Sequence, residues 1–175
     1  MKSKFFLLIL FSASLFFAQT KSGRETLALD WPDEENWVLG NRQESSTMEM
    51  IELVKQGESL ENWTELGTMI SIKGAKNVGV ENMMNLLYNQ TKPNSPSAKL
   101  TFIEKGVKDG YPWILFKIEC PQFNDDPNPE SQLWYIVQGS TSLFTNNRAI
   151  KKKCIPKELE EKWGEVFKLS KIIYD

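Results

Sequence analysis

The sequence predicts an α+β domain with a mainly antiparallel sheet, the element order β-β-β-α-β-β-β-β-α, and two helices packed on the sheet. Strand-like segments with alternating apolar side chains follow one another directly, which is typical of antiparallel pairing. Only two segments have apolar residues at helical spacing, and both helices must bury these residues, most simply on one face of the sheet. The composition, 41% hydrophobic and 25% charged, is that of a globular protein.

The chain of 175 residues is expected to divide into three parts. Residues 1–18 have the pattern of a secretory signal peptide: a basic start, an apolar run over residues 5–17, and the small residue Ala18 before a polar segment. The run is too short for a comfortable membrane span, so we expect cleavage within a few residues of Ala18 rather than a retained membrane anchor. Residues 19–35 are a polar N-terminal lead-in, and residues 36–175 are a single globular domain.

The first half of the domain predicts three strands and a helix. Consecutive apolar residues in the second strand would occupy both of its faces, which indicates a central position in the sheet. The helix is predicted from the spacing of Val80, Met83, Met84 and Leu87, and the prolines that follow end it. The predicted strands cover residues 36–43, 47–55 and 63–73, and the helix covers residues 80–88.

The second half predicts four strands and a C-terminal helix. The strands form two hairpins, with Asp109-Gly110 as the turn signal of the first and Gly139-Ser140 between the strands of the second. Pro156 suits the first turn of the helix, acidic residues follow it, and Lys168 and Lys171 lie near the predicted end. The predicted strands cover residues 99–105, 113–120, 131–138 and 142–150. The apolar stripe of the helix consists of Leu159, Trp163, Val166, Phe167 and Ile173.

The residue content excludes several classes of chemistry. The chain has no histidine, which removes Ser-His and Cys-His nucleophile pairs, histidine-ligated metals and imidazole proton transfer. We predict no catalytic residue, no cofactor and no metal site. The net charge of −2 gives no electrostatic footprint for nucleic acid, and we interpret the basic run at residues 151–153 as a solvated loop. Asp126, Asn128 and Glu130 alternate as calcium ligands could, but beside proline they are ordinary turn residues.

Cys120 and Cys154 are the only cysteines. In an exported chain, two cysteines favour one disulfide between them, and two separate thiols are the alternative. A C-x-x-C redox motif is absent. We therefore predict a structural Cys120–Cys154 bridge.

The segment around Trp63 is the first candidate for a binding site. Trp63 could line a pocket to which Asn62 and Glu65 supply polar contacts, although the same residues would also suit a turn that leads into a strand. Trp113 and Trp134 lie on neighbouring predicted strands and are a second candidate, an aromatic groove for a glycan or a lipid, with core packing as the alternative. The predicted ligand-binding residues are therefore Asn62, Trp63, Glu65, Trp113 and Trp134.

The segment Gly57-Glu58-Ser59-Leu60-Glu61-Asn62-Trp63-Thr64-Glu65-Leu66, followed by Thr68, resembles exported bacterial proteins with the pattern G-E-[ST]-x-x-N-W-[ST]-[EQ]-x-x-T. A late hairpin through Gly139 and a final helix with a tryptophan, Trp163, are similar in layout. The element order also resembles the PsbP-like fold. The resemblance implies an exported bacterial protein and supplies no catalytic residue.

Together these features predict a secreted or periplasmic binding or accessory domain without catalysis. Its expected partner is a protein or small ligand of the cell envelope, with no nucleic acid and no stable membrane insertion once the signal is removed. One alternative is an inhibitor or immunity-type protein that acts on an exported enzyme. A second alternative is a hydrolase that uses carboxylates only, which would need two acids with raised pKa in one pocket.

Overall fold

The computed structural model describes residues 23–126 and 128–174. The predicted signal peptide lies outside the described residues. The described chain forms nine strands, two α-helices and a short 3₁₀ helix at Asp33–Glu35. The strands are β1 (Glu25–Ala28), β2 (Trp37–Glu44), β3 (Met48–Lys55), β4 (Glu65–Lys73), β5 (Lys99–Lys108), β6 (Tyr111–Cys120), β7 (Glu130–Gln138), β8 (Ser142–Ile150) and β9 (Lys171–Tyr174). The helices are α1 (Val80–Thr91) and α2 (Lys157–Leu169).

Seven strands form one antiparallel sheet in the order β2-β3-β4-β8-β7-β6-β5, and β1 pairs with β9 in a second, two-stranded sheet. This confirms the predicted α+β class and the order of the seven main strands and two helices. Strands that are neighbours in sequence pair as hairpins. The exception is the pairing of β4 with β8, which joins the two halves of the sheet. This pairing brings the loop before β4 beside the end of β8.

The two helices lie on opposite faces of the main sheet, so the expectation that both pack on one face is wrong. The physical reason lies in β6, where Ile114 and Phe116 face α1 while Trp113 and Leu115 face α2. A strand with apolar residues at consecutive positions buries both of its faces and needs cover on both sides. The core therefore consists of two apolar clusters, one on the α1 face and one on the α2 face of the sheet.

The C-terminal helix ends earlier than its apolar spacing predicts. It stops at Leu169, and Lys171 and Ile173 belong to β9. Lys108 donates hydrogen bonds from its ammonium group to the carbonyl oxygens of Lys168 and Ser170, so a cation covers the helix C-terminus. The chain then turns into an extended strand that pairs with β1 from the predicted lead-in.

The predicted disulfide is not formed, because Cys120 and Cys154 are both free thiols. Cys120 is 2% exposed and packs in the cluster on the α1 face. The neighbouring Glu119 points the other way, and its carboxylate accepts a 3.0 Å hydrogen bond from the backbone N–H of Ile155 in the segment that leads to α2. The sheet therefore lies between the Cys120 side chain and the segment that carries Cys154.

Candidate binding site

A polar cleft of about 360 Å³ lies where the loop between β3 and β4, the loop between β6 and β7, and the end of β8 meet. Two of the residues predicted from the sequence, Asn62 and Trp63, line this cleft. The complete lining consists of Glu61, Asn62, Trp63, Asp126, Asn128, Pro129 and Lys151. We call it the Trp63 cleft.

Hydrogen bonds within the loop between β3 and β4 hold Trp63 in place. The Glu58 carboxylate accepts bonds from the Thr64 backbone N–H at 2.8 Å and the Thr64 hydroxyl at 2.6 Å. Burial raises the pKa of Glu58, but these hydrogen bonds outweigh it and the pKa lies below its ordinary value. Asn62 and Ser59 exchange backbone hydrogen bonds and form an isolated bridge. The loop thus presents Trp63 from a fixed turn at the start of β4.

The Lys151 ammonium lies over the half-buried Trp63 ring, 4.0 Å from the ring centroid. It also donates a 2.9 Å hydrogen bond to the Glu130 carboxylate. The backbone N–H of Lys151 donates to the Thr64 carbonyl at 3.0 Å, which continues the β4–β8 pairing into the cleft. One face of the indole is therefore covered by a cation that is itself paired with an acid.

The opposite side of the cleft carries a second fixed turn. The Asp126 carboxylate accepts hydrogen bonds from the Asn128 backbone N–H at 2.8 Å and the Asn128 side-chain amide at 2.7 Å. These bonds hold the pKa of Asp126 below its ordinary value. Both hydrogen bonds end on the same oxygen, Asp126 Oδ1. Within residues 23–126 and 128–174, no group of three or more acidic or cysteine side chains could hold a metal ion.

The electrostatic character of the Trp63 cleft is acidic. Glu61 is exposed, and a hydrogen bond from the Ser59 hydroxyl lowers the pKa of its carboxyl. Glu61 and Asp126 are therefore both carboxylates at neutral pH, and the one lysine of the lining is already paired with Glu130. The arrangement suits a ligand that carries positive charge and hydrogen-bond donors.

Glu65 lies outside the cleft, although the sequence places it next to Trp63 and Asn62. It begins β4 with its side chain on the α2 face, where it forms ion pairs with Arg148 and, at 3.3 Å, with Lys55. Arg148 also pairs with Glu35 at 2.8 Å. Glu65 therefore belongs to a network of charges that joins β3, β4 and β8 to the 3₁₀ helix.

Aromatic rings enclose this network of charges. The Arg148 guanidinium lies 4.5 Å from the Trp163 ring centroid, and Lys55 lies 3.8 Å from that of Trp37. Trp163 donates a 3.1 Å hydrogen bond from its indole N–H to Glu35. The network connects α2 to the sheet. Its charged groups pair with one another and are covered by aromatic rings, which indicates a structural role rather than a binding site.

Trp113 and Trp134 do not form a shared groove. Trp113 packs in the α2-face cluster beside Tyr135, and Trp134 stacks on Phe116 in the α1-face cluster. Each is 8% exposed. The Trp134 indole N–H donates to the Gln132 side chain at 2.8 Å. The sheet separates the two rings, and their contacts are those of core residues.

Glu61 and Lys151 line the cleft although no sequence pattern predicts them as members of a site. The run of three lysines that begins at Lys151 predicts a solvated loop, and only the pairing of β4 with β8 places Lys151 over Trp63. No helix of the described residues is long and apolar enough to cross a membrane.

No protein-family model matches the chain, and the comparison with curated proteins finds no match.

Proposed function

We propose that the protein is an exported, non-catalytic binding domain of the cell envelope that takes its ligand in the Trp63 cleft. The observation that carries this proposal is the meeting of three separate chain segments around Trp63. Both loops that supply the lining are fixed by their own hydrogen bonds, so the cleft exists before a ligand arrives. A preformed site loses less conformational entropy on binding.

The charge of the lining supports a cationic ligand. Glu61, Asp126 and the Asn62 amide would accept or donate hydrogen bonds at the rim, and the exposed part of the Trp63 ring would contact an aliphatic chain or a cation. A lysine- or arginine-containing segment of an envelope protein has this combination of an apolar stem and a charged head. We therefore propose a basic peptide segment as the ligand.

The carboxylate hydrolase receives less support. That reaction needs a carboxyl group with a raised pKa to act as general acid. In the described part of the chain, each carboxyl group with a shifted pKa is shifted downward, as for Glu58, Glu61 and Asp126. Acids of this kind hold their charge at neutral pH and are suited to pairing with cations.

The test compares the wild-type protein with Trp63→Ala, each tagged and recovered from its own cell envelope, by native mass spectrometry. We expect a partner mass on the wild type and its loss from Trp63→Ala, while circular dichroism shows an unchanged fold. Leu39→Ala is the matched control, because Leu39 is 62% exposed on β2 and does not line the cleft. The control variant should retain the partner.

Four outcomes would contradict the proposal in whole or in part. A bare wild-type monomer would contradict a tight-binding role, and a partner retained by Trp63→Ala would place the site elsewhere. A partner that proves to be an exported enzyme, inactive in the complex, would instead support the inhibitor or immunity-type alternative. The same spectrum gives the mass of the chain, and a mass that still includes residues 1–18 would contradict cleavage of the signal peptide.

A further inference from the structure

The Trp63 cleft already contains a cation that belongs to the protein itself. The Lys151 ammonium lies 4.0 Å from the centroid of the Trp63 ring and 2.9 Å from an oxygen of the Glu130 carboxylate. An aromatic face on one side and a carboxylate on the other are the groups with which proteins commonly bind an alkylammonium ion. The Lys151 side chain therefore marks a place that fits the ammonium group of a ligand.

Lys151 can leave this place without disturbing the fold around it. Its side chain is 34% exposed, and its backbone N–H is held separately by the Thr64 carbonyl. Exposed ion pairs and exposed cation–π contacts are each weak, because water competes for the charges. Arg148 is the contrast within the same protein, since its side chain is 6% exposed and pairs with both Glu35 and Glu65. An external cation can replace Lys151 but has no access to the place of Arg148.

The groups that would remain after Lys151 leaves are fixed in position. The Glu130 carboxylate accepts a 2.7 Å hydrogen bond from the Gln132 side-chain amide, and Gln132 accepts a 2.8 Å bond from the indole N–H of the buried Trp134. Trp63 stands in a loop that its own hydrogen bonds hold. The ring and the carboxylate are therefore preorganised for an incoming cation, which lowers the entropic cost of binding.

The place of the Lys151 ammonium lies where two clefts meet. The Trp63 cleft adjoins a second cleft of about 340 Å³, whose lining includes Glu130, and the two clefts share Asp126. Hydrogen bonds from Asn128 and, to a smaller extent, the charge of Lys151 lower the pKa of Asp126, so this carboxylate also interacts with the cation. An ammonium group at this place is thus stabilised by two acids.

We propose that the ligand displaces Lys151: a lysine-like side chain of the ligand places its ammonium between the Trp63 ring and the Glu130 carboxylate, and Lys151 turns out into solvent. This inference rests on the proposed function, because it names the part of a basic ligand that the Trp63 cleft selects. Lys151 is then an internal competitor. An uncharged side chain that displaced it would break the ion pair and leave Glu130 without a cation, so the competitor sharpens the selection for cations.

The probe is Nα-acetyl-lysine N-methylamide, which has one ammonium group and no other charge. It is titrated into the ¹³C,¹⁵N-labelled protein and followed by NMR at the Trp63 indole N–H and at the ε-methylene protons of Lys151. We expect saturable shifts at Trp63. The Lys151 protons should move toward their values in an unstructured peptide, because the ring current of the indole no longer shields them once the side chain has left. Nα-acetyl-norleucine N-methylamide, which lacks only the ammonium group, should bind about tenfold more weakly.

The variant Lys151→Ala removes the competitor and should bind the lysine probe about fivefold more tightly than the wild type does. Lys152→Ala is the matched control, because Lys152 is exposed, is the next residue in the chain and does not line the cleft. It loses the same charge and should bind the probe as the wild type does, within about twofold.

A double variant tests the role of the carboxylate. In Lys151→Ala/Glu130→Gln the gain in affinity should disappear, because the ammonium of the probe has lost its charged partner. The shift of the Lys151 protons is measured on the wild type, so the displacement is tested even where a variant fails to fold.

Two results would overturn the inference, and they differ in what they mean for the proposed function. If the wild type and Lys151→Ala bind the probe equally and the Lys151 protons do not shift, the cleft takes its cation at another place and the proposed function stands. If the lysine probe gives no saturable shift at Trp63 in either protein, the cleft does not bind a cationic side chain, and the proposed function fails together with the inference.

Discussion

The Thr141 backbone N–H donates a 2.7 Å hydrogen bond to the Glu25 carboxylate, 116 residues before it in the chain. The backbone N–H groups of Ser140 and Ser142 and the hydroxyl of Tyr174 donate to the same carboxylate. Successive N–H groups of a turn form a concave anion site, and here its occupant is a side chain of the protein itself. Glu25, 4% exposed, thereby joins β1, β9 and the β7–β8 turn.

We expect Glu25→Gln to lower the free energy of unfolding by about 2 kcal/mol, because charge-assisted bonds become neutral ones and the new amide group faces N–H donors. Urea unfolding at neutral pH measures the change. Glu161→Gln is the control, since the Glu161 side chain is 64% exposed in α2. A loss below about 0.5 kcal/mol for Glu25→Gln, which is typical of surface substitutions, would contradict a structural role for the carboxylate.

Acid should destabilise the protein through Glu35. Burial raises the pKa of this carboxyl, but hydrogen bonds from Lys162 and Lys55 and the charge of Arg148 outweigh burial and lower the pKa to about 2, from an ordinary value of 4.5. A group with a lowered pKa in the folded state stabilises that state above its unfolded pKa, and the contribution disappears as the pH falls through the folded pKa. The Glu35 contribution, up to about 3 kcal/mol, is therefore lost between about pH 4.5 and pH 2.

The measurement is urea unfolding from about pH 7 down to about pH 2.5 for the wild type and for Glu35→Gln. The variant should be less stable at pH 7 and should lose less stability on acidification. Parallel curves for the two proteins would show that another acid carries the pH dependence. Glu25, whose pKa is also lowered, contributes in the same direction and remains in both proteins.

Local patterns were sufficient for the seven strands of the main sheet and insufficient for the second sheet of β1 and β9. The alternation in Trp113–Cys120 and the apolar stripe around Trp163 predicted β6 and α2, because burial decides both. The apolar spacing continues to Ile173, yet Ile173 lies in β9. The partner of β9 is β1, almost the whole chain away, and no local pattern records a pairing of that separation.

The same reason explains what was predicted of the candidate site. Asn62 and Trp63 stand in a local turn, and a tryptophan beside turn residues can be recognised in the sequence. Lys151 reaches Trp63 only because β4 pairs with β8, and Asp126 comes from a loop between two other strands. A site assembled from separate loops depends on the register of the sheet, which the sequence pattern leaves open.

Gly67 should tolerate no larger residue while Trp31 holds its present position. A Cβ at residue 67 would lie 2.1 Å from the nearest ring atom of Trp31, well inside van der Waals contact. Trp31 in turn packs against Trp37 and Trp163, with ring centroids 4.9 and 4.8 Å away, so it has little room to move. We expect Gly67→Ala to lower the free energy of unfolding by about 2 kcal/mol.

A double-mutant cycle tests this contact. In a Trp31→Leu background, Gly67→Ala should cost less than about 1 kcal/mol, because the ring that it meets has been removed. Equal costs in both backgrounds would assign the effect to the β4 backbone rather than to Trp31. Urea unfolding supplies all four values.

The two cysteines should differ sharply in reactivity. Burial raises the pKa of the Cys120 thiol and removes it from solvent, whereas Cys154 is exposed. Because the thiolate is the reactive form, iodoacetamide should alkylate Cys154 alone in the native protein. After unfolding, it should alkylate both thiols even when no reductant has been added. Cys154→Ser should then show no alkylation in the native state. If neither thiol of the unfolded wild type reacts until a reductant is added, the two cysteines are joined in a disulfide. That result would contradict the two free thiols and the placement of Cys120 and Cys154 on different sides of the sheet.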